Sequence, residues 1–245
     1  MQIKILSCKA ERDSNQDSLL INSDIFSGEY MLYKEYYIKE NKPQIFAVAD
    51  GMGGEEGGDI ASSILMKTVK EAVYDKIRNS EEKADYKEII EGAILKAQYI
   101  ISEKFETENI YGGTTISLLI IDNEDYHCFS IGDSPIMIMK NGKLDLLNKF
   151  DTLAQRKMDQ NVSRTKIYSE DFHFLTQAIG SGGYDSVHYT CGKIEKNTMF
   201  LVATDGIMFL KEKGIKKSFK RENLFKYIDK ISKSGDNVSA IYIDI

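Results

Sequence analysis

Brief apolar runs come first in this chain, two long apolar stripes follow, and brief runs then return. Residues 3–6, 18–21, 30–38 and 45–49 are short hydrophobic clusters bounded by polar turns, as strands are. Ile60, Ile64, Leu65, Thr68, Val69, Ala72, Val73 and Ile77 then recur at three-and-four spacing, which puts them on one helical face. Ile89, Ile90, Ala93, Ile94, Ala97, Ile100, Ile101 and Phe105 repeat the pattern, with the polar stretch 80–85 between the two. Faces this apolar have to be covered, so the pattern predicts an antiparallel helix hairpin lying on a sheet. After Gly112-Gly113 strands resume over 114–121, 126–131 and 136–140, with Asn123-Glu124 and Asn141-Gly142 as hairpin turns. Residues 149–186 are polar, glycine-spotted and aperiodic, and so long an irregular stretch reads as a lid or flap. Strands at 187–194 and 199–203, a helix over 216–231 and an alternating strand at 238–245 close the chain. Helices grouped between blocks of closely spaced, hence antiparallel, strands predict an α+β layered fold. With only Pro43 and Pro135 and no linker or repeat, residues 1–245 read as one domain.

Composition narrows the function. A net charge of −6 and a pI near 5.3 argue against nucleic acid as a partner, which would leave a basic stripe. The N-terminus lacks a signal-peptide pattern, and the longest aliphatic run, 118–121, is too short for a bilayer; a soluble, cytoplasmic protein without membrane contact is expected. Cys8, Cys128 and Cys191 have no CxxC spacing and read as reduced, structural thiols. His127, His173 and His188 show no ligand-like spacing either. The tyrosine-rich segment 22–43 carries no motif, and its aromatics read as strand packing.

The chemistry lies in aspartates placed where strands stop. Asp50 follows the run Ile45-Phe46-Ala47-Val48-Ala49 and precedes Gly51; Asp205 follows Phe200-Leu201-Val202-Ala203-Thr204 and precedes Gly206. A single Asp-Gly of this kind is usually a turn former or a helix cap. Here the arrangement repeats: Asp133 and Asp236 also sit at strand boundaries, and Asp17 opens a strand after Asn15-Gln16. Carboxylates held by a sheet end, with no His/Cys set beside them, suit Mg²⁺ or Mn²⁺ rather than zinc. No cysteine stands in a Cys-x5-Arg phosphate loop, and no Walker-type loop is present.

Six motifs in order resemble the protein phosphatase 2C family, the metal-dependent PPM class, over nearly the whole chain. They are Arg12-Asp13-Ser14-Asn15-Gln16-Asp17; Asp50-Gly51-Met52-Gly53-Gly54, followed by Gly57-Gly58-Asp59; Gly112-Gly113-Thr114-Thr115; Gly132-Asp133-Ser134; Thr204-Asp205-Gly206; and Asp236-Asn237-Val238-Ser239. The resemblance implies a four-layer α-β-β-α sandwich, two antiparallel sheets flanked by helix pairs. It implies a serine/threonine phosphoprotein phosphatase with two Mn²⁺ or Mg²⁺ ions, Asp50 bridging them and the Gly51 carbonyl on one. Asp205 and Asp236 would hold the first ion and Asp17 the second through water, while Asp133 with Asp205 would supply a third, weaker position. Arg12 would bind the substrate phosphate, and water would attack in line between the cations. Phosphorylated proteins would be the substrates and a serine/threonine kinase the opposing partner. Three positions depart from the pattern. Met52 stands where some relatives carry a histidine acid, Pro135 replaces an arginine, and Asp151-Thr152 replaces Asp-His-(Ser/Thr). The alternatives are a non-catalytic binding module on the same fold, or a metal-dependent hydrolase of nucleic acid or cyclic nucleotides, against which the acidic charge stands.

Overall fold

The computed structural model describes residues 1–245 except 41, 54–56, 79–83, 220–227 and 229. Its first half runs β1 (Gln2–Cys8), β2 (Ser18–Ile21), β3 (Asp24–Ser27), β4 (Met31–Tyr37), β5 (Gln44–Ala49), β6 (Gly51–Met52), α1 (Gly57–Val73) and α2 (Tyr86–Glu108). The second runs β7 (Gly113–Thr114), β8 (Ile116–Asp122), β9 (Asp125–Ile131), β10 (Ile136–Lys140), β11 (Lys143–Leu146) and α3 (Leu153–Asp159). It ends with β12 (Ile179–Gly180), β13 (His188–Lys193), β14 (Met199–Ala203), α4 (Lys211–Ser218) and β15 (Val238–Asp244).

Among the described residues two six-stranded sheets form, in the orders β11-β10-β14-β15-β1-β4 and β13-β9-β8-β5-β2-β3, with a small ribbon β12-β7-β6 beside them. Every pairing is antiparallel. Side-chain alternation divides the central strands between two cores. Phe46 and Val48 of β5 meet Phe200, Val202 and Ile241 between the sheets. Ile45, Ala47 and Ala49 of the same strand face outward onto Leu65, Val69, Ile94 and Ile101 of α1 and α2. On the far side Leu201, Ala203 and Ala240 pack against Ile207, Ile215 and Phe219. Helices, sheet, sheet and helix therefore lie in succession, because strands buried on both faces demand cover on both. No helix among the described residues is long and apolar enough to cross a membrane.

Local chemistry sets the turns and caps. Asp85 caps α2 by accepting from the Lys87 and Glu88 amides, and Asn109 ends it in the left-handed region. Asn141 (φ 51°) and Gly142 (φ 78°) form the tight hairpin between β10 and β11.

Several expectations need correction. Beyond Val73 α1 passes into a π turn over Tyr74–Arg78, which still carries the stripe's Ile77 into the same core. The strand expected over 114–121 is split at Thr115, whose amide donates to the Asp50 carbonyl (2.9 Å) instead of extending the ladder. The stretch 149–186 is not irregular throughout. It holds α3, 3-10 turns at Arg164–Lys166 and Glu170–Phe172, and β12. Its ends are tied together by Leu153 N–H to the Phe174 carbonyl (2.8 Å) and Thr176 N–H to the Asp151 carbonyl (2.8 Å). The helix expected at 216–231 begins at Lys211, and most of its later part lies outside the described residues, as do Gly54 and most of the 80–85 connection. Cys8 and Cys128 are buried, but Cys191 is exposed. Tyr30 and Tyr37 are also mostly exposed rather than packed.

Candidate active site

Strand register gathers the aspartates in pairs, and the packing of the two sheets joins the pairs. In the β2–β5 pair Ser18 lies opposite Ala49, so Asp17 entering one strand and Asp50 leaving the other are neighbours. In the β14–β15 pair Ala203 lies opposite Ala240, which does the same for Asp205 and Asp236. Ile116 opposite Ile131 brings Asp133, just past β9, beside Thr115 and hence Asp50. Cys8 opposite Val238 carries the loop after β1 over the same end, and Arg12 there donates to the Gly235 carbonyl (2.9 Å) and the Asp236 carboxylate (3.0 Å). Carboxylates that are distant in sequence thus converge where both sheets stop.

Each is held by a polar frame. The Asp50 amide donates to Thr115 Oγ1 (3.1 Å), and the Asp50 carbonyl accepts from Thr114 Oγ1 (3.0 Å). Asp17 Oδ2 accepts from Thr204 Oγ1 (3.0 Å), which in turn accepts the Ser239 amide (2.9 Å). Asn237 Oδ1 takes the Gln16 amide (2.9 Å), and its amide group donates to the carbonyls of Lys9 (3.0 Å) and Ser14 (2.8 Å), locking the Arg12 loop to the Asp236 turn. Gly51 and Gly206 are required by close approach. A Cβ at Gly51 would sit 2.3 Å from the Gly58 carbonyl oxygen, and one at Gly206 would sit 2.1 Å from that of Asn237.

Withdrawal from water and mutual repulsion push these acids up. Asp17, 1% exposed, is raised to about 7, first by burial and then by Asp205 and Asp236, against hydrogen bonds from Ser239 and Thr204. Asp133 is also raised to about 7, by burial and then Asp205. Asp50 is raised well above the usual carboxylate range by burial, then by Asp17, Asp205 and Asp133. Asp205 is raised by burial and then Asp236, while the hydrogen bond from Asp50, His173 and Arg12 pull it back. Asp17 Oδ1 and Asp205 Oδ1 are buried without any partner. Orphaned carboxylate oxygens in a cluster of like charge are what a divalent cation satisfies, and oxygen donors suit Mg²⁺ or Mn²⁺. Among the described residues no three of the acids close on one point. Mg²⁺-type sites tolerate this, since they take one or two carboxylates and keep several waters.

Two clefts open from the cluster and share Asp236. A polar one of about 340 Å³ is lined by Arg12, Ser14, Asp50, Gly51 and Met52. The other, about 520 Å³, has Asp133, Asp205 and Asp236 on its floor and largely apolar walls.

Sequence reasoning passed over several residues. Asp151, noted only as a departure, is buried and accepts from the Gly132 amide (2.9 Å), Gln177 Nε2 (2.7 Å) and His188 Nε2 (2.7 Å), fastening the Asp133 turn to both ends of the 149–186 stretch. His173 lines the larger cleft beside Asp205. For α3 a signal was present: Thr152-Leu153-Ala154-Gln155 is a capping-box pattern, and Thr152 does cap the Gln155 amide (3.2 Å).

A metal-dependent phosphatase class is what this fold and acid set define. The chain belongs to the protein phosphatase 2C family, whose model matches residues 32–240; Arg12 and Asp17 lie outside the matched stretch. It is 26% identical over 179 residues to serine/threonine phosphatase stp of Listeria welshimeri, covering 69% of this chain and 68% of that one. It is 23% identical over 167 residues to serine/threonine protein phosphatase PstP of Mycobacterium tuberculosis, covering 67% of this chain but 32% of PstP. The PstP catalytic domain, solved in complex with two manganese ions, shares the fold with a TM-score of 0.76 at 19% identity, covering 100% of this chain and 99% of that one. The S. agalactiae serine/threonine phosphatase does so with a TM-score of 0.80 at 19% identity, covering 99% of each chain.

Proposed function

We propose that this chain hydrolyses phosphoserine and phosphothreonine in proteins, with water attacking in line at a centre of two Mn²⁺ or Mg²⁺ ions. Asp50 would bridge the ions, the Gly51 carbonyl would join it, and Asp205 and Asp236 would complete the first site. Asp17 would act on the second ion through water, and Asp133 with Asp205 would make a third, weaker position. Bound there, the cations would supply charge neutralisation and an acidified water, as in other binuclear hydrolases. The observation that carries this reading is the pair of buried, unpartnered oxygens on Asp17 and Asp205 inside a cluster of raised carboxylates.

The protein's own groups have distinct tasks. Arg12, 57% exposed at the rim, can offer its fork to a phosphate once Asp236 is engaged by a cation. Thr204 and Ser239 fix Asp17, and Thr114 and Thr115 fix Asp50, so these two acids need not reorganise as charge builds on the phosphoryl oxygens. Met52 at the rim carries no proton to give, which leaves protonation of the departing alkoxide to water. The natural setting is a cytoplasmic one opposite a serine/threonine kinase, over substrates that are phosphorylated proteins.

Purified protein given a phosphothreonine peptide should release phosphate with Mn²⁺ present and stop when the metal is chelated. Asp50→Asn and Asp205→Asn should each abolish turnover. Metal binding without turnover in either Mn²⁺ or Mg²⁺ would favour a non-catalytic binding module instead.

A further inference from the structure

The larger cleft joins the acids to a wall on which four large apolar side chains stand among Thr152, His173 and Ser234. Around Asp133, Asp205 and Asp236 stand Phe150, Phe172, Met208 and Phe209, and Phe172, Met208 and Phe209 remain 49%, 44% and 52% exposed. Resting on the phosphatase reading, we propose that this cleft is a specificity subsite for a large apolar or aromatic side chain flanking the phosphorylated residue of a protein substrate.

Continuity with the acid set is the first reason. Asp236 lines both clefts, so a phosphate placed between Arg12 and the aspartates lies at the boundary of the apolar one. A residue one or two positions along an extended substrate lies roughly 3.5–7 Å away, so its side chain can enter the adjoining cleft. The second reason is that both jaws are built. Met208 and Phe209 sit on the 3-10 turn Asp205–Leu210, whose Ile207 and Leu210 are buried in the core, so the turn itself aims them outward. Opposite, Phe172 belongs to the turn Glu170–Phe172, in which buried Asp171 accepts from Lys157 (2.6 Å) and from the Tyr168 amide (2.8 Å). That turn is pinned, and the exposure of Phe172 is therefore set by the fold. The third reason is charge. A basic flanking residue would compete with the cations for the same carboxylates, whereas an apolar one meets side chains whose faces are about half exposed.

The test uses the Mn²⁺-loaded protein and phosphothreonine peptides that differ only in carrying Phe, Leu, Ser or Lys at each of the two positions before and after the phosphoresidue. At one of these positions kcat/KM should favour Phe or Leu over Ser by about tenfold or more, the effect of burying such a side chain. Phe172→Ser and Phe209→Ser, both at exposed positions, should bring that ratio to within about twofold of unity, while Tyr99→Ser on the outer helix should keep it. Turnover with no apolar preference at any position, or a preference untouched by both variants, overturns the subsite and leaves the phosphatase reading standing. No turnover of any peptide overturns both. A dimer in sedimentation that Phe209→Ser dissociates, together with a flat peptide profile, would assign the cleft to a second copy of the chain and overturn the subsite.

Discussion

Asp17→Asn should make the metal-free protein more stable at pH 8 while weakening its response to metal. Asp17 is 1% exposed, one of its oxygens has no partner, and it titrates at about 7 instead of 3.8. The folded chain therefore keeps a proton that the unfolded chain releases near 4, and stability falls as pH rises between those values. The loss starts near pH 4 and is complete a little above 7. Three powers of ten in proton affinity, at about 1.36 kcal/mol each, amount to about 4 kcal/mol once the group is ionised. Asparagine carries no such charge. Its oxygen can keep the Thr204 hydroxyl, and its amide adds no charge to the repulsion from Asp205 and Asp236. In EDTA at pH 8 the variant should melt higher by roughly 10 °C, taking about 2–4 °C per kcal/mol for a chain of this size. Thermal melts from pH 5 to 8 provide the measurement, and the variant's advantage should shrink toward pH 5. With saturating Mn²⁺ the order should narrow or reverse, because the wild-type chain gains RT ln(1+[L]/Kd) from its ions and the variant gains less. A variant that melts no higher than wild type in EDTA at pH 8, with the same dependence on pH, would refute the idea that the buried charge opposes folding.

Other perturbations separate the parts of the frame. Thr204→Val removes the donor to Asp17 and the acceptor of the Ser239 amide, and should cost about 1–3 kcal/mol in a denaturant melt at pH 8. Gly206→Ala puts a Cβ 2.1 Å from the Asn237 carbonyl oxygen; the Asp236 turn must move, and calorimetric Mn²⁺ titration should show weaker binding. Asp151→Asn sets an amide against donors from Gly132, Gln177 and His188, and should cost roughly 1–3 kcal/mol, with the weaker Mn²⁺ affinity lost first because the Asp133 turn loosens.

Much of this was legible along the chain. The helix hairpin could be read because two apolar stripes at helical spacing need one surface to cover them, and the strand ends because a buried run stopped at Asp-Gly. The motif order gave the acid set as a resemblance, and Asp59, nine residues after Asp50 but at a helix start instead of a strand end, is exposed and absent from the cluster. Asp151 looked like a deviation, since its donors Gly132, Gln177 and His188 lie 19, 26 and 37 residues away. His173 next to Asp205 left no trace in spacing at all.

Residue type and period decide which segments become helix or strand and where polar groups interrupt them, because those preferences act within a few neighbours. Register between strands is different. It is set by how two sheets and two helical layers bury their faces together, and a slip of one residue would exchange the side chains that face the two cores. Only that three-dimensional agreement places Ser18 opposite Ala49 and Ala203 opposite Ala240, and so brings Asp17, Asp50, Asp205 and Asp236 to one end. The raised acidity, the orphaned oxygens and the apolar wall beside them follow from that proximity, since each depends on what a group faces across space and not on its neighbours in the chain.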